Sequence, residues 1–160
     1  MLYVKSLGDG VNYLDSDEAS VPISFGGTSG DSIFTLIIDT SDFNGSSYAA
    51  NNGSHTKTDS GNNSIEYWTN QIMLQSSVMQ WQKSNAYLYN VTDLGELISL
   101  SINVSVGGVT VYEGTSKNPT SKSVSGLSGT YTFSEGQNFF TIKVGSTLTK
   151  CTKIEVTYKK

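Results

Sequence analysis

Leu97-Ile98-Ser99-Leu100-Ser101-Ile102-Asn103-Val104-Ser105-Val106, then Gly107-Gly108, then Val109-Thr110-Val111: this stretch decides the fold class. Its apolar residues, Ile98, Leu100, Ile102, Val104 and Val106, recur at every second position. Successive side chains of a strand point to opposite faces, so a period of two is the mark of a half-buried strand. The glycine pair is a turn, and Val109 and Val111 resume the alternation behind it. The same rhythm returns in Phe140, Ile142 and Val144, and again in Ile154, Val156 and Tyr158. Val109, Val111, Phe140, Ile142, Ile154 and Val156 are therefore expected in the core.

Working outward, Ile33 to Ile38 is a further strand. Its apolar residues nearly run together, which predicts cover on both faces. Residues 41–64 are polar and rich in Asn, Gly and Ser, the chemistry of turns, with room for a short strand between Tyr48 and Lys57. His55 falls there and reads as a surface loop residue. Ile65–Trp68, Gln71–Gln75, Val78–Gln82 and Tyr87–Tyr89 read as short strands. A helix from Asn70 to Gln82 is the alternative, and the Ser76-Ser77 break and the aromatic content favour strands. Glu113–Thr120 and Ser125–Gly129 read as connections, Tyr131–Phe133 as a strand. Nine or ten strands follow, an all-β, two-sheet antiparallel β-sandwich of jelly-roll-like layout. Residues 25–160 form this domain. Residues 1–24, with their acidic knot and Pro22, read as an N-terminal arm or edge segment.

The chain has 160 residues, enough for one domain with a real core. Charged residues make up only 15%, which leaves an uncharged polar surface. Nine Tyr, six Phe and two Trp argue against disorder. The net charge of -4 and scattered lysines disfavour nucleic acid as a partner. No apolar run is long enough for a membrane-spanning helix, so no membrane insertion is expected. Read as a native start, Met1-Leu2-Tyr3-Val4-Lys5-Ser6 lacks the pattern of a signal peptide. A virus particle assembled inside a cell fits that, as does a piece of a secreted protein with Met1 added. Cys151 has no second cysteine to pair with and reads as a small core side chain.

From about Asn44 to Tyr158 the sequence resembles a little-characterised β-sandwich module of secreted and surface proteins of gut Firmicutes and Bacteroidetes, also carried by their phages. The matching stretches are Asn70-Gln71-Ile72-Met73, Gln80-Trp81-Gln82-Lys83, Tyr87-Leu88-Tyr89-Asn90-Val91-Thr92, Val111 to Pro119, Asn138 to Ile142, and Ile154 to Tyr158. In bacteria such modules sit beside nuclease or hydrolase domains. Residues 1–40 do not match, which favours a self-sufficient structural role. The resemblance implies fold more than activity.

Tyr67, Trp68 and Trp81 are the candidates for a ligand platform, with Asn70, Gln71, Gln80 and Gln82 supplying amides. Aromatic rings stack on the C–H faces of sugars, and amides bind hydroxyls. Trp81 alternates with Met79, which favours a place in the core. Tyr67 and Trp68 are adjacent, so one of them faces outward. Asp15, Asp17 and Glu18 are weak candidates for Ca²⁺, with Asp39 and Asp42 as contributors if the fold brings them near. No catalytic set is readable: a single His excludes most acid–base and zinc schemes, and Asp39, Glu66 and Glu135 are not linked by spacing. No cofactor is expected. The expected function is a non-enzymatic structural or attachment protein on the surface of a bacteriophage virion, a decoration, head-fibre or tail-associated component. The alternative is a carbohydrate-binding accessory module of a secreted or cell-surface bacterial protein. The expected partners are other virion proteins, further copies of the chain (a trimer or higher), and a host surface glycan.

Overall fold

The computed structural model describes residues 31–160. The expected arm at residues 1–24, residues 25–30 and the candidate metal ligands Asp15, Asp17 and Glu18 lie outside the described residues.

Among the described residues twelve strands follow one another: β1 (Ile33–Asp39), β2 (Gly53–Thr58), β3 (Ser64–Asn70), β4 (Ile72–Gln75), β5 (Val78–Trp81), β6 (Tyr87–Asn90), β7 (Glu96–Val106), β8 (Val109–Gly114), β9 (Ser121–Leu127), β10 (Gly129–Thr132), β11 (Phe139–Val144) and β12 (Thr149–Lys159). They form two six-stranded sheets in which every pairing is antiparallel. The first runs β10-β7-β12-β5-β4, with β1 also on β12; the second runs β2-β3-β6-β11-β8-β9. As in a jelly roll, the chain passes back and forth between the sheets. The expected all-β two-sheet sandwich is the fold, and the segment 70–82 is the hairpin β4–β5.

Two strands lie in stretches that read mainly as turns and connections, although the sequence leaves room for the first as a short strand between Tyr48 and Lys57. The polar stretch after residue 41 contains β2, and His55 sits on it rather than in a loop. The connection after Pro119 contains β9. Both are edge strands of the second sheet with little apolar content, so no hydrophobic alternation announces them.

The core lies between the sheets. Val109, Val111, Phe140, Ile142, Ile154 and Val156 are all fully buried, together with Leu36, Ile38, Tyr67, Trp81, Leu88 and Leu100. Two expectations are corrected. β1 is covered on one face only: Leu36 and Ile38 are buried, whereas Ile33 and Ile37 are exposed. In β7 the strict alternation breaks. Register shifts along the β7–β12 ladder bring Leu97 opposite Tyr158 and Ser99 opposite Thr157. A bulge of this kind lets two residues oppose one. Leu97 thereby takes the buried place that alternation gives to Ile98, which is half-buried, and Val106 ends exposed.

Polar side chains lock the sandwich at its margins. The β2–β3 turn is organised by Asp59, whose carboxylate accepts from the backbone N–H groups of Gly61 (2.9 Å) and Asn63 (2.7 Å), and from the Asn63 amide (2.9 Å). The Tyr158 hydroxyl donates to the same carboxylate from the end of β12, tying the two sheets together. Asn90 is fully buried and fully used: it accepts from the Phe140 N–H (2.7 Å) and donates to the carbonyls of Thr92 and Asn138. The β7–β8 turn uses Gly107 at φ +78°, and a Cβ there would lie 2.7 Å from the Leu148 carbonyl oxygen.

Candidate functional site

The two sheets differ on their outward faces, and the register shows how. On the first sheet, one cross-strand row reads Thr35–Thr157–Ser99–Thr132 and the next Ile37–Glu155–Ser101–Thr130. Apart from Ile37 at the β1 edge, these are small hydroxyl residues and a carboxylate. On the second sheet, one row reads Ser54–Trp68–Tyr89–Thr141–Tyr112–Lys122. The next reads Asn70–Tyr87–Lys143–Thr110. Directly paired residues point to the same side of a sheet. Their sequence neighbours Tyr67, Leu88, Ile142 and Val111 are buried, so these rows face outward.

This outward face carries four aromatic rings. Trp68 is 37% exposed, and Tyr87, Tyr89 and Tyr112 are half-buried. Tyr87 and Tyr89, two residues apart on β6, stack with centroids 6.2 Å apart and planes 19° from parallel. Lys143 Nζ sits 5.1 Å from the centroid of Tyr112. Burial, with the neighbouring Tyr87 and the Glu66 carboxylate, raises the Tyr89 hydroxyl above its ordinary pKa, so it stays a neutral hydrogen-bonding group. Thr141 lies in the row between Tyr89 and Tyr112 but is fully buried there, its hydroxyl donating to Asn118 Oδ1 (3.2 Å). The Asn70 amide donates to the Asn85 carbonyl (2.9 Å).

The expected platform of Tyr67, Trp68 and Trp81 therefore divides. Trp68 and Asn70 belong to the outward face of the second sheet. Tyr67 shares parity with Ile65 and Thr69, and all three are buried. Its ring stacks on His55 at 5.3 Å and 15°, and burial, with the charges of Asp42 and Asp39, pushes its hydroxyl pKa up. Trp81 is fully buried in the first sheet, as its alternation with Met79 allowed. Among the described residues its indole N–H is the one buried side-chain polar group without a hydrogen-bond partner. It lies near the thiol of buried Cys151, whose pKa burial raises to about 12. Gln80 is buried on the first sheet and donates to the Tyr48 hydroxyl (2.8 Å). Gln82 follows β5 there, its backbone N–H donating to the Gln71 carbonyl. The first sheet thus takes Trp81, Gln80 and Gln82 away from Trp68.

Three aromatic residues of the face escaped the sequence reading: Tyr87, Tyr89 and Tyr112. A signal for two of them existed. With Leu88 in the core, Tyr87 and Tyr89 must both face out. Tyr112 follows in the same way from buried Val111. Their assembly beside Trp68 depends on the order β3-β6-β11-β8, which joins strands distant in sequence.

The carboxylates go to structural tasks or stand apart. Asp39 and Asp42 are brought together, and Lys57 Nζ bridges them at 3.7 and 2.7 Å. Hydrogen bonding from Ser41 holds Asp39 below its ordinary pKa against the cost of burial, helped by Lys57. Glu66 accepts from Ser54 on the outward face, and Glu135 lies in the β10–β11 turn. Among the described residues no cluster of three metal-ligating side chains forms. A depression of about 430 Å³ beside the β8–β9 connection is lined by Glu113, Thr115, Ser116, Pro119 and Gln137, without an aromatic ring.

Compared with known proteins, the chain matches no family model, no curated protein and no solved structure. The aromatic face therefore has to be interpreted from its own chemistry.

Proposed function

We propose that this protein is a non-enzymatic attachment protein at the surface of a bacteriophage particle, and that the outward face of its second sheet holds a carbohydrate. One observation carries the second half of the proposal: Trp68, Tyr89 and Tyr112 stand in a single cross-strand row, with hydroxyls and an amide beside them. Adjacent strands are about 4.8 Å apart, a spacing comparable to the rise per ring of an extended glycan. Aromatic rings take the apolar faces of sugars, and Asn70 and the tyrosine hydroxyls offer polar partners around them. The two hydroxyl-lined rows across β1, β12, β7 and β10 of the first sheet carry no such rings. The low charge of the chain and the resemblance of residues 44–158 to a phage-borne module support the particle setting. Assembly into a trimer or higher ring belongs to the same proposal, because several copies strengthen a weak glycan contact by avidity.

Affinity electrophoresis through gels containing soluble polysaccharides tests the binding. At least one polysaccharide is expected to retard the protein, and Trp68→Ala with Tyr89→Ala to abolish the retardation. Unaltered retardation of that variant contradicts the role of the face. Mass spectrometry of purified particles tests the setting. A gene linked to a polysaccharide-degrading cluster, with the protein missing from particles, moves the same face into an accessory module of a secreted bacterial protein.

A further inference from the structure

The face proposed to hold carbohydrate is aromatic at the β3 and β6 end and basic at the other. Lys143 is the direct cross-strand neighbour of Tyr87, and Lys122 that of Tyr112. Both lysines point outward in the rows that carry the rings. Among the described residues neither lies within ion-pair distance of a carboxylate, whereas Lys57, Lys153 and Lys159 are all paired. Strands β6, β9 and β11 contain no acidic residue. Glu113, the one acid of β8, shares the parity of buried Val109 and Val111, and its carboxylate accepts from Ser134. Glu66, the acid of the outward face, sits on β3 beyond Tyr89, at the opposite end from Lys122. Two ammonium groups without a carboxylate partner among the described residues thus stand among aromatic rings, on a chain whose net charge is -4.

We infer that the glycan bound by this face is acidic, with a carboxylate-bearing uronate ring resting on Tyr87 and Tyr89 and its carboxylate against the Lys143 ammonium. The inference rests on the carbohydrate reading above and names the class of sugar. The rings take the C–H face of the sugar, which is the same in a neutral hexose. The charge selects the acid. The Lys143 ammonium lies over Tyr112, across β11 from Tyr87 and Tyr89, so the carboxylate has to reach it over β11; a charge-assisted hydrogen bond to a carboxylate is stronger than one to a hydroxyl. Lys122 supplies a second positive charge for the next part of an anionic chain. Isolated lysines suit a carboxylate spaced along a polymer; a densely sulfated glycan calls for a basic cluster, which this face lacks.

Polygalacturonate and the same polymer with its carboxyl groups methyl-esterified make a matched pair of probes. The native protein is expected to be retarded in gels containing the acid form, about tenfold more weakly by the ester, and less as salt is raised. Lys143→Gln is expected to lose about tenfold in affinity for the acid form and nothing for the ester, with an unchanged melting temperature. Trp68→Ala is expected to weaken binding to both. Equal retardation by acid and ester, or an unaffected Lys143→Gln variant, overturns the inference. Binding to a neutral glucan through Trp68, with no preference for uronate polymers including hyaluronan, also overturns it but leaves the carbohydrate reading standing. Stronger binding to a sulfated glycan than to either uronate overturns the choice of carboxylate. Retardation by none of these polymers contradicts both readings.

Discussion

Tyr67 and Trp68 are neighbours in sequence with opposite tasks, because a strand sends consecutive side chains to opposite faces. Tyr67→Ala opens a cavity between the sheets and is expected to cost about 3–5 kcal/mol. Trp68→Ala is expected to cost about 1 kcal/mol or less while removing the largest ring of the outward face. Denaturant titration and glycan retardation, run side by side on the two variants, read this contrast directly. Asp59 makes a second prediction. Burial alone would raise its pKa, but hydrogen bonds from Tyr158, Asn63 and Gly61 outweigh it and hold the carboxyl below its ordinary value. A carboxyl lowered in the folded state contributes stability that is complete above its unfolded pKa, about 4, and is lost as pH falls through the lower folded value. The melting temperature is therefore expected to drop on acidification below about pH 4. Asp59→Asn should be less stable at neutral pH by about 1–3 kcal/mol and show a shallower acid decline. An acid profile identical to the native one would remove Asp59 from this role.

Among the elements, the β4–β5 hairpin carries visible strain. Its two turn residues, Ser76 and Ser77, have φ of 49° and 64°. Positive φ at both central positions is the signature of the tight turn that best fits the twist of a hairpin, and Asn-Gly adopts it at least cost. Replacing Ser76-Ser77 with Asn-Gly is expected to stabilise the protein by about 1 kcal/mol, measured as a shift in denaturant midpoint at constant slope. The elements also show what sequence conveys. Where one face is buried and the other wet, as in β8 and β12, alternation alone identified the core residues. β2 and β9 carried no such contrast: β2 showed only as room for a short strand between Tyr48 and Lys57, and β9 was hidden. The bulge in β7 was hidden for another reason: it is set by the ladder with β12, a partner some fifty residues away, and local alternation contains no trace of it. Local alternation showed only that one of Tyr67 and Trp68 faces outward, and Trp68, Tyr89 and Tyr112 became a face only once β11 was seen between β6 and β8.

At the scale of the whole molecule, the sandwich is one rigid support with two unlike surfaces, hydroxyl-rich on the first sheet and aromatic on the second. An attachment protein gains from presenting such a surface in several copies. Light scattering over a concentration range is expected to return the mass of a trimer or larger closed assembly; a monomer at high micromolar concentration contradicts that part of the proposal. The central claim is that the aromatic face holds carbohydrate, and amide and indole NMR shifts during titration with a glycan that retards the protein test it most directly. The account predicts shifts in the Trp68 indole N–H and in the backbone signals of Tyr87, Tyr89, Tyr112, Thr141 and Lys143, with Thr35, Ser99, Thr132 and Thr157 unmoved. Shifts confined to the first sheet or to the loops would contradict it.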